Sequence, residues 1–134
     1  MKKWKTVFFL CGIFLSISAF VGIHASFAAT LTVANTNDSG AGSLRQAILD
    51  SVPGDVIDFD AGLTSGGAAT ITLTTGQLEI DKSLGIHGPG AENLAISGNG
   101  ESRIFYITEG TSAEISGLRL ASGDVTSDVA IGTT

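Results

Sequence analysis

Pairs of apolar residues with one residue between them recur along this chain, and they constrain its fold more than any other feature. Each pair places two apolar side chains on one face of a short strand. Gly, Asn, Asp, Ser and Thr, which favour turns, separate the pairs. The pairs are Leu31/Val33, Ile57/Phe59, Ile71/Leu73, Leu78/Ile80, Leu84/Ile86, Leu94/Ile96, Phe105/Ile107 and Leu118/Leu120. Short strands without long helices between them predict an all-β fold with many turns.

A coarser repeat connects these pairs. The pairs that begin at Ile71, Leu94 and Leu118 are 23 and 24 residues apart. Three segments share the pattern apolar-x-Ile-x-Gly, and their glycines are Gly88, Gly98 and Gly117. A period in the twenties with several short strands per repeat is typical of a solenoid. The spacing favours a parallel β-helix, in which each coil buries its apolar face on the next. An antiparallel β-sandwich is the alternative, because short strands and turn residues suit it too.

The segment 43–50 breaks the strand pattern and predicts a short amphipathic helix. Ser43 is its N-cap, and Gln46 completes a capping box three residues later. Pro53-Gly54 ends it. The apolar face consists of Leu44, Ala47 and Ile48. Because an open strand edge invites pairing with other chains, we expect this helix to cap the first coil of the solenoid.

The first 28 residues have the order of a secretory signal peptide. MKKWK is basic, an uncharged apolar run extends from Thr6 to Ile23, and Ser26 and Ala28 place small residues at −3 and −1 of a cleavage after Ala28. A retained anchor is the alternative, although the run Val7–Ile23 is shorter than the about 20 residues that span a bilayer. We expect a secreted or cell-surface protein with no membrane span after cleavage of the leader.

The chain after this leader is acidic. It retains 4 of the 7 basic residues against all 13 acidic ones, a formal charge of −9 (4 − 13). This charge disfavours nucleic acid as a partner, because phosphate binding requires a basic surface. Cys11, the single cysteine of the chain, lies in the leader, so we expect neither disulfides nor thiolate chemistry after cleavage.

Three polar features could carry chemistry. The segment 35–40 alternates oxygen side chains before a glycine, as calcium loops do, but its twelfth position is Gln46 instead of an acid, so we interpret it as a polar turn. Asp58 and Asp60 share the outer face of one strand and could act as acid and base, although a solvated face is the simpler interpretation. His87 has no His or Cys partner for a metal site. We therefore predict no catalytic, cofactor-binding or metal-binding residues and no cofactor.

The segment LTVANTNDSGAGSLRQAILDSVPGDVIDFDAGL resembles the N-terminal region of large secreted right-handed β-helix proteins of bacteria. These include proteins with the CSLREA motif, polymorphic outer-membrane-like proteins and other solenoids of the pectin-lyase-like fold. The segment 42–47 stands where that motif would be, with Gly42 and Gln46 in place of its Cys and Glu. The resemblance covers Thr30 to Gly123. It implies the start of a right-handed parallel β-helix with a short N-terminal capping helix.

These observations predict four segments. They are a signal peptide at 1–28, an N-terminal cap with the short helix at 29–62, β-helix coils at 63–123, and a truncated or unstructured tail at 124–134. Because Leu118/Leu120 is followed by no further coil, we expect marginal stability or self-association through the open C-terminal coil.

The resemblance identifies a scaffold more than an activity. We expect the N-terminal part of an exported, non-catalytic β-helix protein for adhesion or display, with extracellular carbohydrate or a host or cell surface as partner. The alternative is a fragment of a pectate-lyase-like polysaccharide lyase or a glycoside hydrolase. Such enzymes need calcium-binding acids with a basic residue, or two carboxylates flanking a sugar bond.

Overall fold

The computed structural model describes residues 27–124, which form short strands and little helix. In chain order the elements are β1 (Thr30–Val33), α1 (Leu44–Asp50), β2 (Val56–Phe59), a 3-10 helix (Ala61–Thr64), β3 (Ala69–Thr72), β4 (Leu78–Ile80), β5 (Leu84–His87), β6 (Leu94–Ser97), β7 (Phe105–Ile107), β8 (Ala113–Ser116) and β9 (Arg119–Ala121). The predicted all-β class is confirmed. The predicted signal peptide and tail fall almost wholly outside the described residues.

The strands form three parallel sheets. The first sheet has the order β1-β2-β5-β8, the second β3-β6-β9 and the third β4-β7. From β3 onward, consecutive strands belong to the second, third and first sheets in turn, and this order repeats. Every strand pairing in the range 27–124 is parallel, which rules out the antiparallel sandwich there. Within the same range, neither helix has the length and apolar character needed to cross a membrane.

All eight predicted apolar pairs lie in strands or directly beside them. Leu73 follows β3 and Leu118 precedes β9, while the other pairs lie within their strands. β8 was not among the predicted pairs, because its inward residues are Ala113 and Ile115 and alanine gives a weak apolar signal. Alternation therefore locates the strands but misses one whose inward face is small.

Aliphatic side chains from successive strands lie side by side in the core. Ile57 pairs with Ile86 across the first sheet, and Ile71 pairs with Ile96 across the second. All four are almost completely buried. Each such side chain contributes about 1.5–3 kcal/mol relative to an exposed one. These rows are the hydrophobic core that holds the three sheets together.

The predicted repeat is wrong in its first interval. Ile71 pairs with Ile96, so β3 and β6 are offset by 25 residues (96 − 71) and not 23, whereas the 24-residue offset from Ile96 to Leu120 is confirmed. In the first sheet the offset is 29, from Ile57 to Ile86. The connections differ in length from sheet to sheet, so no single period describes the chain.

The shared apolar-x-Ile-x-Gly pattern also combined two sheets. Gly88 and Gly117 follow β5 and β8 of the first sheet, while Gly98 follows β6 of the second. Gly88 and Gly117 approach each other so closely that a β-carbon on either would collide with the carbonyl oxygen of the other. Gly117 also has a φ of +63°, which side chains disfavour. The glycines at this corner are required by the close approach of two backbones.

Helix α1 begins after Ser43, whose hydroxyl oxygen accepts a hydrogen bond from the Gln46 backbone N–H at 3.2 Å. The predicted N-cap is confirmed, but the other half of the predicted capping box is wrong. The Gln46 side chain donates to Asp50, and the Ser43 backbone N–H donates to the Gly40 carbonyl instead. The tight turn at 40–43 satisfies that N–H locally, so Gln46 is free to bond along the helix.

The apolar face of α1 lies against β1 and β4, which are edge strands of the first and third sheets. Leu44, Ala47 and Ile48 are buried there, as predicted, in the same cluster as Val33 and Leu78. We call the group formed by α1, β1 and the loop 34–43 the N-terminal end of the sheets.

The last strand of each sheet, β7, β8 or β9, forms what we call the C-terminal edge. In the second sheet Ile96 is fully buried, while its neighbour Leu120 in β9 is 52% exposed. In the third sheet Ile80 is fully buried, while its neighbour Ile107 in β7 is 42% exposed. Among the described residues, the apolar rows thus end without a covering layer.

Candidate functional site

A polar cluster at the N-terminal end is centred on the carboxylate of Asp38. One oxygen, Oδ1, accepts a 2.6 Å ion-paired hydrogen bond from Arg45 Nη2. The other, Oδ2, accepts from the backbone N–H and hydroxyl groups of Thr74 and Thr75, the shortest of these bonds being 2.6 Å. Thr74 and Thr75 lie in the turn between β3 and β4. Asp38 therefore ties the loop before α1 to a turn 36 residues later.

Arg45 completes this cluster from the first turn of α1. Its guanidinium donates to the carbonyl oxygens of Asp38, Gly76 and Gln77 at 2.8–3.2 Å, in addition to the Asp38 carboxylate. A rigid guanidinium can satisfy several acceptors at once, which a lysine could not do. We call Asp38, Arg45, Thr74 and Thr75 the Asp38–Arg45 clamp.

The clamp determines the ionisation of Asp38. Burial alone would favour the protonated acid, but hydrogen bonds from Thr75, Arg45 and Thr74 outweigh it and hold the pKa of Asp38 well below its usual range. Asp38 is the acid of the segment that resembles a calcium loop. Its oxygens are occupied by Arg45 and the two threonines, which favours the polar-turn interpretation.

The segment that stands in place of the CSLREA motif has a defined backbone role. Gly42 has a φ of +77°, and a β-carbon there would come within 2.8 Å of Asn35 Nδ2. The Gly42 carbonyl accepts the backbone N–H groups of Ala34 and Asn35. A cysteine at position 42 would therefore be strained in this backbone, so the departure from the motif fits the turn that this chain forms.

Asp55 is a second acid that bonds to backbone N–H groups. Its side chain is almost fully buried, and its oxygens accept from the Val52 and Ala29 backbone N–H groups, both at 2.8 Å. These hydrogen bonds lower the pKa of Asp55 against a smaller opposing effect of burial. Asp55 thus joins the residue before β1 to the segment after α1.

The structure does not bring Asp58 and Asp60 together as an outward pair. Ile57 is buried and Asp58 lies on the outer face of β2, as alternation predicts. Asp60 lies beyond the end of β2, where its side chain caps the 3-10 helix by accepting the Gly62 N–H at 2.7 Å. A turn begins at Asp60, and the strand alternation that suggested the pair ends there.

The register of the first sheet places three polar residues in one outward row. Asp58 of β2 lies beside His87 of β5, which lies beside Ser116 of β8. This order resembles an acid–base–nucleophile set, but no hydrogen bond among the described residues joins them, and nucleophilic catalysis needs the nucleophile and base within bonding reach. His87 Nε2 instead lies 3.9 Å from Glu114 Oε1. The row was not predicted, because it depends on pairings between residues 29 positions apart.

The His87 ring lies over Gly85 on this outer face. A β-carbon at position 85 would come within 3.3 Å of His87 Nε2, so glycine makes room for the ring. Beside it runs an open groove of about 300 Å³, whose lining includes Asp55, Ser83, Ser112 and Glu114 as well as His87. Hydroxyl, carboxylate and imidazole groups in an open groove can hydrogen-bond the hydroxyls of a sugar chain.

Between residues 27 and 124, no group of three or more His, Cys, Asp or Glu side chains is arranged to hold a metal ion. No family model, curated protein or solved structure matches the chain. The candidate site is therefore defined by geometry alone, as the outer face of the first sheet with the groove beside His87.

Proposed function

We propose that residues 27–124 are the capped start of a right-handed parallel β-helix. The repeated visiting order of three parallel sheets supports this, as do the aliphatic rows between them. The right hand follows from the general preference of crossovers between parallel strands of one sheet. Helix α1 serves as the cap, since it lies on the edge strands β1 and β4. A structure determined by NMR should give one hand throughout, and a left-handed stack would contradict this part.

The same proposal extends to function: the chain is the N-terminal part of an exported, non-catalytic surface or extracellular protein that serves in adhesion or display. The observation that carries it is the use of the acids. Asp38, Asp55 and Asp60 each accept backbone N–H groups that hold the N-terminal end together. Acids used in this way build a scaffold. The leader and the resemblance to bacterial surface proteins supply the compartment.

Binding without turnover tests this function. The full chain is exported from a bacterial host, purified, and incubated with pectin, polygalacturonate and other polysaccharides, with and without calcium. We expect retention on an insoluble polysaccharide or on intact cells, with no unsaturated products and no new reducing ends. Retention that falls on His87→Ala would assign it to the groove. Neither retention nor turnover would contradict the adhesion part.

The second candidate, a fragment of a polysaccharide-cleaving β-helix enzyme, is favoured by the row of Asp58, His87 and Ser116 beside the groove. Its signature in the same assay is product formation that Asp58→Asn abolishes. Asp60→Asn is the matched control, because Asp60 caps the 3-10 helix and lies off the row. Products lost in the first variant and kept in the second would replace the scaffold proposal by the enzyme.

We also propose self-association through the C-terminal edge. Unpaired strand edges with exposed apolar side chains are templates for another strand. Leu120 and Ile107 provide such side chains on two of the three sheets. Sedimentation velocity should show association that weakens on Leu120→Lys, while Leu49→Lys on the outer face of α1 leaves it unchanged. A strictly monomeric exported chain would contradict this proposal.

A further inference from the structure

Asp55 is a buried carboxylate that has only neutral partners in this structure. It is 3% exposed, and its two oxygens accept backbone N–H groups, Oδ1 from Ala29 and Oδ2 from Val52. None of the ion pairs formed between described residues includes Asp55. A negative charge removed from water is stabilised far more by a cation than by neutral donors alone.

Ordered packing begins at Ala29, the partner of Oδ1. Its carbonyl accepts the Val56 N–H at 2.9 Å, which extends the pairing of β1 with β2 by one residue. The preceding side chain pattern is different: Phe27 is 86% exposed and Ala28 is exposed as well. The first residue held by the fold is thus the first residue after the predicted cleavage site.

We propose that a signal peptidase hydrolyses the Ala28–Ala29 bond and that the new α-ammonium group of Ala29 forms an ion pair with Asp55. This inference rests on the proposed export of the chain. Water is the co-reactant: the C–N bond breaks, the carbonyl carbon of Ala28 gains the oxygen and becomes a carboxylate, and the Ala29 nitrogen becomes an ammonium. No other change is needed, because that nitrogen already lies 2.8 Å from Asp55 Oδ1.

Processing then changes the strength of a contact that exists before cleavage. The amide N–H of Ala29 is one neutral donor, whereas an ammonium has a full positive charge and three donors. Charge-assisted hydrogen bonds are roughly twice as strong as neutral ones. Ala29 itself is exposed, so its ammonium keeps water on one side while it pairs with the buried acid. Removal of the leader therefore fastens β1 to the segment between α1 and β2.

The test begins with the full chain, exported from a bacterial host and purified from the periplasm or medium. Intact-mass analysis should find a chain that starts at Ala29. Part of this product is then acetylated at its N-terminus, which removes the charge and keeps the N–H donor. We expect acetylation to raise the equilibrium constant for unfolding about tenfold. In the Asp55→Asn variant, which keeps an acceptor oxygen, the same acetylation should change it less than about twofold.

A second measurement covers the case in which Asp55→Asn does not fold. An amine-reactive ester should modify the Ala29 amine of the folded parent at least tenfold more slowly than the same amine in an unfolded peptide.

The outcomes separate this inference from the proposed export. Processing at Ala29 with equal effects of acetylation in both proteins, or with peptide-like reactivity of the amine, overturns the ion pair alone. Retention of Met1 in a membrane fraction overturns both the ion pair and the export. A new N-terminus at another residue overturns the ion pair and leaves the export standing.

Discussion

The two ends of the stacked sheets are built differently. At the N-terminal end, α1 covers the edge strands β1 and β4, and the Asp38–Arg45 clamp and Asp55 fix the loops around it. At the C-terminal edge, Leu120 and Ile107 are about half exposed, although their neighbours one strand back are fully buried. The comparison teaches that a strand of this fold is stabilised by what lies beyond it, since equivalent residues differ only in whether another layer follows.

A charge under the helix should break the covered end completely. Leu44→Asp places a carboxylate at a fully buried position beneath α1 and should cost more than about 4 kcal/mol, enough to unfold a domain of marginal stability. Leu49→Asp is the matched control on the same helix, because Leu49 is 64% exposed, and should change the free energy of unfolding by less than about 0.5 kcal/mol. Urea denaturation followed by circular dichroism measures both. Equal midpoints for the two variants would mean that α1 is not packed on the sheets.

Truncation of one aliphatic row at two places should sharpen the comparison. Ile96→Ala removes a fully buried side chain and should cost about 2–5 kcal/mol. Leu120→Ala, next to it in the same row, should cost less than about 1 kcal/mol because half of that side chain is in water. The two free energies of unfolding come from denaturant titrations at low protein concentration. A loss at Leu120 as large as that at Ile96 would show that the C-terminal edge is covered.

The clamp should give the covered end a dependence on pH. Because the folded pKa values of Asp38 and Asp55 are lowered, their contribution to stability is fully present above the unfolded value of about 4 and is lost as pH falls below it. Asp38→Asn should cost about 1–3 kcal/mol at pH 7 and flatten this acid loss. The free energy of unfolding between pH 7 and pH 3 measures the slope. Asp81→Asn, at an exposed acid, should cost less than about 1 kcal/mol at pH 7.

The smallest effect concerns the helix cap. Ser43→Ala removes the oxygen that accepts the Gln46 N–H and should cost about 1 kcal/mol. The exposed Ser39, four residues earlier, is the control, and Ser39→Ala should leave the midpoint of thermal unfolding within a degree or two of the parent. A parent-like melting temperature for Ser43→Ala would indicate that water replaces the cap.

Local pattern was sufficient for the elements but not for their pairing. Alternation located eight strands, and the apolar face of α1 followed from a spacing of three and four residues. The offset between β3 and β6 was two residues too short, because the lengths of turns are set by glycines and caps that a period cannot include. For the same reason Gly98 was assigned to the corner of Gly88 and Gly117.

The polar contacts were still harder to anticipate. The segment that contains Asp38 could be recognised as a turn, but its partners Thr74 and Thr75 are 36 and 37 residues away and belong to no motif. Likewise the row of Asp58, His87 and Ser116 exists only through the pairing of three strands. Knowledge of the sheet register, even without side chains, would have identified that row.

The parallel pairing also determines the order in which this chain can fold during its synthesis. Each strand that pairs backwards needs a partner 24–29 residues earlier, a stretch that has always been synthesised already. The elements that close the N-terminal end belong to the first half of the chain, and domains form from the N-terminus as the polypeptide lengthens. Growth can therefore proceed by accretion, one layer at a time, on a foundation that is complete before the last strands leave the ribosome.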